Sequence, residues 1–193
     1  LDFSIAPEKR YDQPVQISSR FAADEDMSTP RSQVILGWLL GSVKDLDATM
    51  DAQMLASALL DNSASPLRYA LETSSLGTAP SEICGFEEAM SESVFVCGLE
   101  GCKPGDAGKI QNLVLSVLEK VAKDGVPVSQ LESILHQIEL SQREVGGGRF
   151  PYGLQLMVKS LSPALHGADP FKVLNVEPVL ARLREKIKDP SYI

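Results

Sequence analysis

The chain has 193 residues, and 18 lysines and arginines against 26 aspartates and glutamates give it a formal net charge of −8. This acidic balance argues against a nucleic-acid role, because phosphate binding needs a basic surface. The length allows one large domain with a sizeable core, and no apolar run approaches the roughly 18 residues that a membrane helix needs. Because the chain opens at Leu1 without a methionine, we expect it to be a piece of a longer protein.

The first part of the chain predicts a linker followed by two strands. Residues 1–14 are polar and irregular, so we assign them to an N-terminal linker and residues 15–193 to a single domain. Apolar and polar residues alternate over 15–21, which is the period of a half-buried strand. Residues 33–40 are almost continuously apolar, which predicts a central strand covered on at least one face.

Two helices and a pair of strands come next. Apolar residues three and four apart predict a helix over 45–61, with Asp45 or Asp47 as its N-cap. A short helix follows over 65–77, because a serine and a proline stand at its start. Residues 82–100 predict a strand pair joined by a turn. The glycines between Gly98 and Gly105 predict a loop, which starts before the end of this segment.

The second half of the chain predicts helices alone. Amphipathic spacing indicates helices over 106–123, 129–145, 152–166 and 178–188. Strands and helices are therefore segregated along the chain, and strand–helix units do not alternate as a doubly wound fold requires. The sequence predicts an α+β fold, with one mostly antiparallel sheet and helices packed on one face.

A glycine-rich segment follows the third of the long helices. It consists of Gly146, Gly147 and Gly148, followed by Arg149 and Phe150. A phosphate-binding loop would need a strand before it and a helix start after it, whereas here a helix comes before. We expect a flexible hinge, which either connects two helices passively or contacts substrate when the protein closes.

The three cysteines are few and odd in number, which indicates a reducing compartment such as a bacterial cytoplasm or an organelle matrix. Cys84 and Cys97 face each other if the strand pair forms a hairpin, so they are either a disulfide or small buried apolar residues. The distance in sequence between Cys97 and Cys102 does not match a zinc knuckle.

Few residues suggest a catalytic or metal site. His136 and Glu139 share a helix face and could in principle bind a metal, but Leu140 stands where an H-x-x-E-H motif needs its second histidine. A surface histidine is the preferred interpretation. The paired Glu87 and Glu88 lie at a predicted turn, where solvated carboxylates are more common than catalytic ones. The residues alone therefore predict no catalytic, cofactor or metal site.

Several motifs are spread over almost the whole chain. They are VILGWLL at 34–40, LLDNSASPL at 59–67, LETSSLG at 71–77, FVCGLEG at 95–101, ILHQIE at 134–139 with Arg143 and Glu144, and PYGL at 151–154. In order and spacing these motifs resemble the second domain of the pitrilysin-type zinc metallopeptidases, specifically of the presequence protease branch.

The resemblance implies the architecture of a longer enzyme. Those peptidases have four related α+β domains in two halves, which close around a chamber for short or unfolded peptides. Their zinc lies in the first domain, on an H-x-x-E-H helix and a later glutamate. No position here matches a metal or catalytic residue of the family, so the resemblance implies a non-catalytic domain that is inactive alone, with zinc only in the parent enzyme.

The implied role is part of the chamber wall of a zinc metalloendopeptidase. The partners are then the other domains of the same polypeptide and peptide substrates, which can add a strand to a sheet edge. A net charge of −8 would favour basic peptides. The alternatives are a stand-alone protein–protein interaction module of the same domain type and a hydrolase with an unrecognised site.

Overall fold

The computed structural model describes residues 6–22, 32–143, 145, 151–189 and 191–193. The strands in these ranges are β1 (Ser32–Ser42), β2 (Ala79–Pro80), β3 (Gly85–Glu87) and β4 (Glu92–Cys102). The α-helices are α1 (Leu46–Leu60), α2 (Pro66–Thr73), α3 (Ala107–Asp124), α4 (Val128–Arg143), α5 (Tyr152–Leu165) and α6 (Glu177–Lys186). A short 3-10 helix, Lys172–Leu174, separates the last two.

Strand β4 is the centre of a four-stranded antiparallel sheet. It pairs with β1 along one side and with both β2 and β3 along the other. Trp38 of β1 lies opposite Phe95 of β4, and their rings are 5.9 Å apart between centroids. Both rings belong to the cluster that the helices cover. The predicted fold class, an α+β domain with helices on one face of an antiparallel sheet, is confirmed.

The strand predicted over residues 15–21 is wrong. Residues 15–22 form neither helix nor strand, and Val15, Ile17 and Phe21 are all exposed. Alternation describes only where side chains point, whereas a strand also needs a neighbour for its backbone hydrogen bonds. No described strand pairs with this segment.

The prediction that 33–40 is the central strand is also wrong. Within the described residues, β1 lies at the edge of the sheet and pairs with β4 alone. Its side chains alternate between partly buried and exposed, so one face is covered and the other is open. The nearly continuous apolar run arises because Ile35 and Leu39 are apolar although they lie on the open face.

Strand β4 continues through the predicted loop at Gly98. A side chain at Gly98 would meet the Val34 carbonyl oxygen at 2.0 Å from the added Cβ, so this glycine allows β1 and β4 to approach closely. Gly101 has a φ of 64°, a conformation that glycine adopts without strain. Both glycines therefore serve strand pairing and do not end the strand.

Helix α1 lies between two apolar clusters. Asp45 caps it, because its Oδ1 accepts from the Ala48 N–H at 3.1 Å. One side of α1 packs with α4 and α6 in a helical cluster, and the other side packs with α2, α3 and β4 in a sheet cluster. The helical cluster contains Met50, Met54 and Ala58 of α1, and the sheet cluster contains Ala56, Leu59 and Leu60.

The other predicted helices are confirmed, with ends that shift by a few residues. Helix α2 stops at Thr73, before the predicted end at Gly77, and α3 ends at Asp124, followed by its C-cap Gly125 with a φ of 73°. The two-residue strand β2 and the 3-10 helix were not predicted, because elements so short have no periodicity. No described helix is both long and apolar enough to cross a membrane.

Candidate functional site

The residues named as a hinge or substrate contact cannot be placed. Gly146, Gly147, Gly148, Arg149 and Phe150 all lie outside the described residues. The flanking elements are α4, which ends at Arg143, and α5, which starts at Tyr152. The role of this segment stays a prediction.

His136 and Glu139 do not form a metal site in the structure. The His136 side chain is exposed, and Glu139 accepts a hydrogen bond from Arg184 Nε at 2.7 Å. Among the described residues, no group of three or more histidine, cysteine, aspartate or glutamate side chains could hold a metal ion. The donors in the described ranges therefore do not fit a zinc site.

The three cysteines are free thiols, so the disulfide alternative for Cys84 and Cys97 is wrong. Cys97 is fully buried, and burial raises the pKa of its thiol to about 12. The Cys84 sulfur accepts from the Gly98 N–H at 3.3 Å, and burial raises the pKa of this thiol as well. Both thiols stay protonated at neutral pH, which makes them poor nucleophiles.

The open face of the sheet is the strongest candidate surface. It presents Ile35, Gly37 and Leu39 of β1 beside Gly98, Val96 and Val94 of β4, which are their partners in the strand register. Ile35 and Leu39 are exposed, and the two valines are half-buried. Glu87 of β3 lies next to Val94 on the same face. The surface is mostly apolar, with small residues between the aliphatic ones.

The charges of the sheet are all of one sign. Its four strands contain three glutamates, Glu87, Glu92 and Glu100, and neither lysine nor arginine. An apolar surface with acidic groups around it can attract an extended chain that carries positive charge.

Glu92 ties the N-terminal segment to the end of the sheet. Its Oε2 accepts from the Glu8 N–H at 2.7 Å, and its Oε1 accepts from Arg10 Nη2 at 2.6 Å. Arg10 also donates to the Leu40 carbonyl oxygen at 2.6 Å, so one guanidinium joins both long strands. The hydrogen bond from Glu8, followed by that from Arg10, lowers the pKa of the Glu92 carboxyl.

A groove separates α5 from α1 and the turn after β3. It encloses about 300 Å³ and is lined by Glu88, Lys159 and Gln142 together with apolar residues of α1. Loss of surrounding water raises the pKa of Glu88 and lowers the pKa of Lys159. Lys159 Nζ donates to Gln142 Oε1 at 2.5 Å, and Ser162 Oγ donates to the Glu88 carbonyl oxygen at 3.0 Å. These polar contacts hold α5 in place and form no catalytic set.

Sequence reasoning did not identify the open sheet face. The sequence did contain a sign of this face, because glycine alternates with a large aliphatic residue at Ile35, Gly37, Leu39 and Gly41, which share one side of β1. The continuous apolar run concealed this alternation.

Comparison with known proteins decides the family. The profile of the peptidase M16 inactive domain matches residues 4–138. The chain belongs to the peptidase M16 inactive-domain family. This finding agrees with the resemblance to pitrilysin-type enzymes that the motifs indicated, and with the inactive character assigned to the domain.

The relatives of this M16 inactive domain include much longer proteins. It is 30% identical over 184 residues to presequence protease 1, chloroplastic/mitochondrial, of Arabidopsis thaliana, which covers 94% of this chain and 17% of that protein. It is 28% identical over 193 residues to the mitochondrial presequence protease of Xenopus tropicalis, which covers 98% of this chain and 18% of that protein. The chain therefore spans less than a fifth of the length of these relatives.

A solved structure has the same fold. It is the inactive peptidase domain of a "Putative Zinc Protease" from Bordetella parapertussis, with a TM-score of 0.59 and 16% sequence identity. The similarity covers 86% of this chain and 82% of that one. At this level of identity the comparison supports the α+β fold of an M16 inactive domain.

Proposed function

We propose that this M16 inactive domain is a non-catalytic part of a zinc metalloendopeptidase that degrades short or unfolded peptides. Residues 15–193 then form one domain of a four-domain enzyme, residues 1–14 link it to the preceding part, and the zinc belongs to another domain. The proposal rests on the family, on the length of the relatives, and on the absence of a metal-binding group among the described residues.

The observation that carries the proposal is the sheet with one covered face and one open face. Helices pack on Phe95, Cys97 and Leu99, whereas Ile35 and Leu39 are left exposed on the other side. We assign this open face to the wall of the substrate chamber. Its apolar surface suits an extended peptide without side-chain specificity, and Glu87 and Glu100 favour basic peptides, whereas Glu92 is already paired with Arg10.

The free thiols support a reducing compartment for the enzyme. We propose a bacterial cytoplasm or an organelle matrix. Measuring how much of the natural polypeptide is present in each cell fraction tests this assignment.

The first experiment compares the natural polypeptide that carries these residues with the 193-residue chain alone. Bound zinc is measured by elemental analysis, and cleavage is measured with a basic fluorogenic peptide. We expect zinc and cleavage in the natural polypeptide and neither in the isolated chain. Stoichiometric zinc or cleavage in the isolated chain contradicts the proposal and supports a hydrolase. A natural polypeptide without an H-x-x-E-H motif supports the interaction module.

The second experiment tests the sheet face itself. Ile35→Arg and Leu39→Arg place a positive charge on the proposed wall, where each removes an apolar contact and repels a basic peptide. We expect kcat/KM for that peptide to fall roughly tenfold in the natural polypeptide, which corresponds to about 1.4 kcal/mol of lost binding. Leu140→Arg is the control, because Leu140 is an exposed leucine on a different element, helix α4. An equal effect of all three variants contradicts the assignment.

A further inference from the structure

Helix α5 carries an apolar stripe on its solvent side. Leu154, Leu161 and Leu165, together with the adjacent Met157 and Val158, are spaced so that they lie within one broad face of the helix. All five side chains are exposed, Met157 by 70% and Val158 by 61%. A helix on a folded protein normally turns such a stripe towards the core, and clustered exposure of this kind marks an interaction site.

The opposite face of α5 is the one that contacts the rest of the chain. Tyr152, Leu156 and Ser160 are half-buried there, and Pro163 is the only residue of α5 that is described as buried. Helix α5 contributes no residue to either of the two apolar clusters. The orientation is also fixed by a side-chain contact, because Ser162 Oγ donates to the Glu88 carbonyl oxygen. The stripe therefore lies on the outer side of α5, and only its member Val158 also borders the groove between α5 and α1.

Open space remains between α5 and the rest of the domain. Cavities of about 260 Å³ and 300 Å³ lie where α5 and the residues after it meet the start of α1. The 3-10 helix packs against α5, and Leu174 within it and Phe171 just before it are also exposed. A second layer on the outer side would cover the stripe and hold α5 against the body.

Three observations favour another domain of the same polypeptide as that layer. The matched relatives are more than five times longer than this chain, so most of such a polypeptide lies outside it. The stripe contains only aliphatic side chains, as is typical of permanent interfaces and not of transient ones. A second copy of this chain is disfavoured because each copy carries a net charge of −8.

We propose that the stripe of Leu154, Met157, Val158, Leu161 and Leu165 docks on an apolar surface of another domain of the same polypeptide. This inference rests on the proposed function, because it requires a longer enzyme. It adds the docking surface, which lies on a different element from the open sheet face assigned to the chamber.

Thiol labelling tests the docking in the natural polypeptide. Met157→Cys and Leu161→Cys are each treated with a maleimide, and the labelled peptide is quantified by mass spectrometry. We expect labelling at both positions to be at least about tenfold slower in the natural polypeptide than in the 193-residue chain, since a permanent interface limits access to rare openings. Lys120→Cys is the control, because Lys120 is an exposed residue of α3, and it should be labelled at the same rate in the natural polypeptide and in the 193-residue chain.

Photo-crosslinking identifies the part of the polypeptide on which the stripe docks. A benzophenone amino acid at position 157 of the natural polypeptide should give an intramolecular crosslink to residues beyond this chain, whereas the same group at position 120 should not. Crosslinks between two copies overturn the proposal, and so does protection that appears only when a substrate peptide is added. Fast labelling at 157 and 161 in a natural polypeptide that has the further domains also overturns it. A natural polypeptide without further domains instead refutes the proposed function.

Discussion

Helices α1 and α5 have 15 and 14 residues, and both carry apolar residues at helical spacing, yet they have opposite environments. Helix α1 is covered on two sides, by α4 and α6 and by the sheet layer. Helix α5 touches the domain with its less apolar face and exposes the aliphatic one. The difference teaches that periodicity identifies the apolar side of a helix, whereas only the surroundings decide whether that side is covered.

The largest expected effect compares one methionine on each helix. Met54 is fully buried in α1 and Met157 is exposed on α5. Met54→Ala should lower the free energy of unfolding by about 2–5 kcal/mol, because it leaves a cavity in the helical cluster. Met157→Ala should change it by less than about 0.5 kcal/mol in the 193-residue chain. Urea denaturation measures both, and similar losses would mean that this chain itself covers the stripe.

A second comparison concerns two glycines of the sheet. Gly98→Ala should cost about 1–3 kcal/mol, because its Cβ collides with the Val34 carbonyl oxygen in the adjacent strand. Gly37→Ala is the control, since an added Cβ meets no atom within 4 Å on the open face. We expect it to be neutral or slightly stabilising in thermal unfolding. A large loss in Gly37→Ala would show that the open face is packed after all.

Helix capping provides a smaller test of how α1 is fixed. Asp45→Ala should cost about 1 kcal/mol, because it removes the side-chain acceptor of the Ala48 N–H. Asp106→Ala is the matched control at the start of α3, where the aspartate caps no backbone N–H and pairs only with the exposed Lys109. Urea denaturation of the two variants should give clearly unequal losses. Equal losses contradict a capping role for Asp45.

The smallest effects are expected from two glutamates at the ends of the β3–β4 turn. The pKa of Glu92 is lowered, so its stabilising contribution is complete above the unfolded-state pKa and is lost as the pH falls through the folded-state value. Glu92→Gln should therefore destabilise the chain near pH 7, and the difference from the parent chain should shrink towards about pH 3.

Glu88 should behave in the opposite way. Desolvation raises its pKa, so the cost of its charged form is present above the folded-state pKa and is relieved as the pH falls below the unfolded-state value. Glu88→Gln should stabilise the chain near neutral pH and have little effect in acid. Stability curves of both variants between about pH 3 and pH 7 check the two signs. Curves of the same sign would contradict the local environments of the two carboxyls.

Most of the fold could be predicted because helices have a strong local signal. The N-cap at Asp45 and the glycine stop at Gly125 follow from residue type alone. The failures concern relations between distant segments. Whether residues 15–21 find a strand partner, and whether β1 is central or at the edge, depends on neighbours that local periodicity does not contain.

The candidate site was harder to predict than the fold. An open sheet face and an exposed helix stripe are both defined by what does not cover them, so sequence patterns could show that Ile35 and Met157 are apolar but not that they are exposed. The prediction that the domain is non-catalytic came from the family resemblance, because no residue pattern in the chain indicates such a role directly.

The end of the chain is fastened directly to α1. Tyr192 donates its hydroxyl to Asp51 Oδ1 at 2.7 Å, and Lys186 Nζ donates to Asp51 Oδ2 at 2.5 Å. Arg182 donates two hydrogen bonds to the carboxylate of Asp47, which lies one turn earlier on the same helix. These contacts attach the carboxyl-terminal residues to the one helix that both apolar clusters share, so a displacement of α6 is coupled directly to α1.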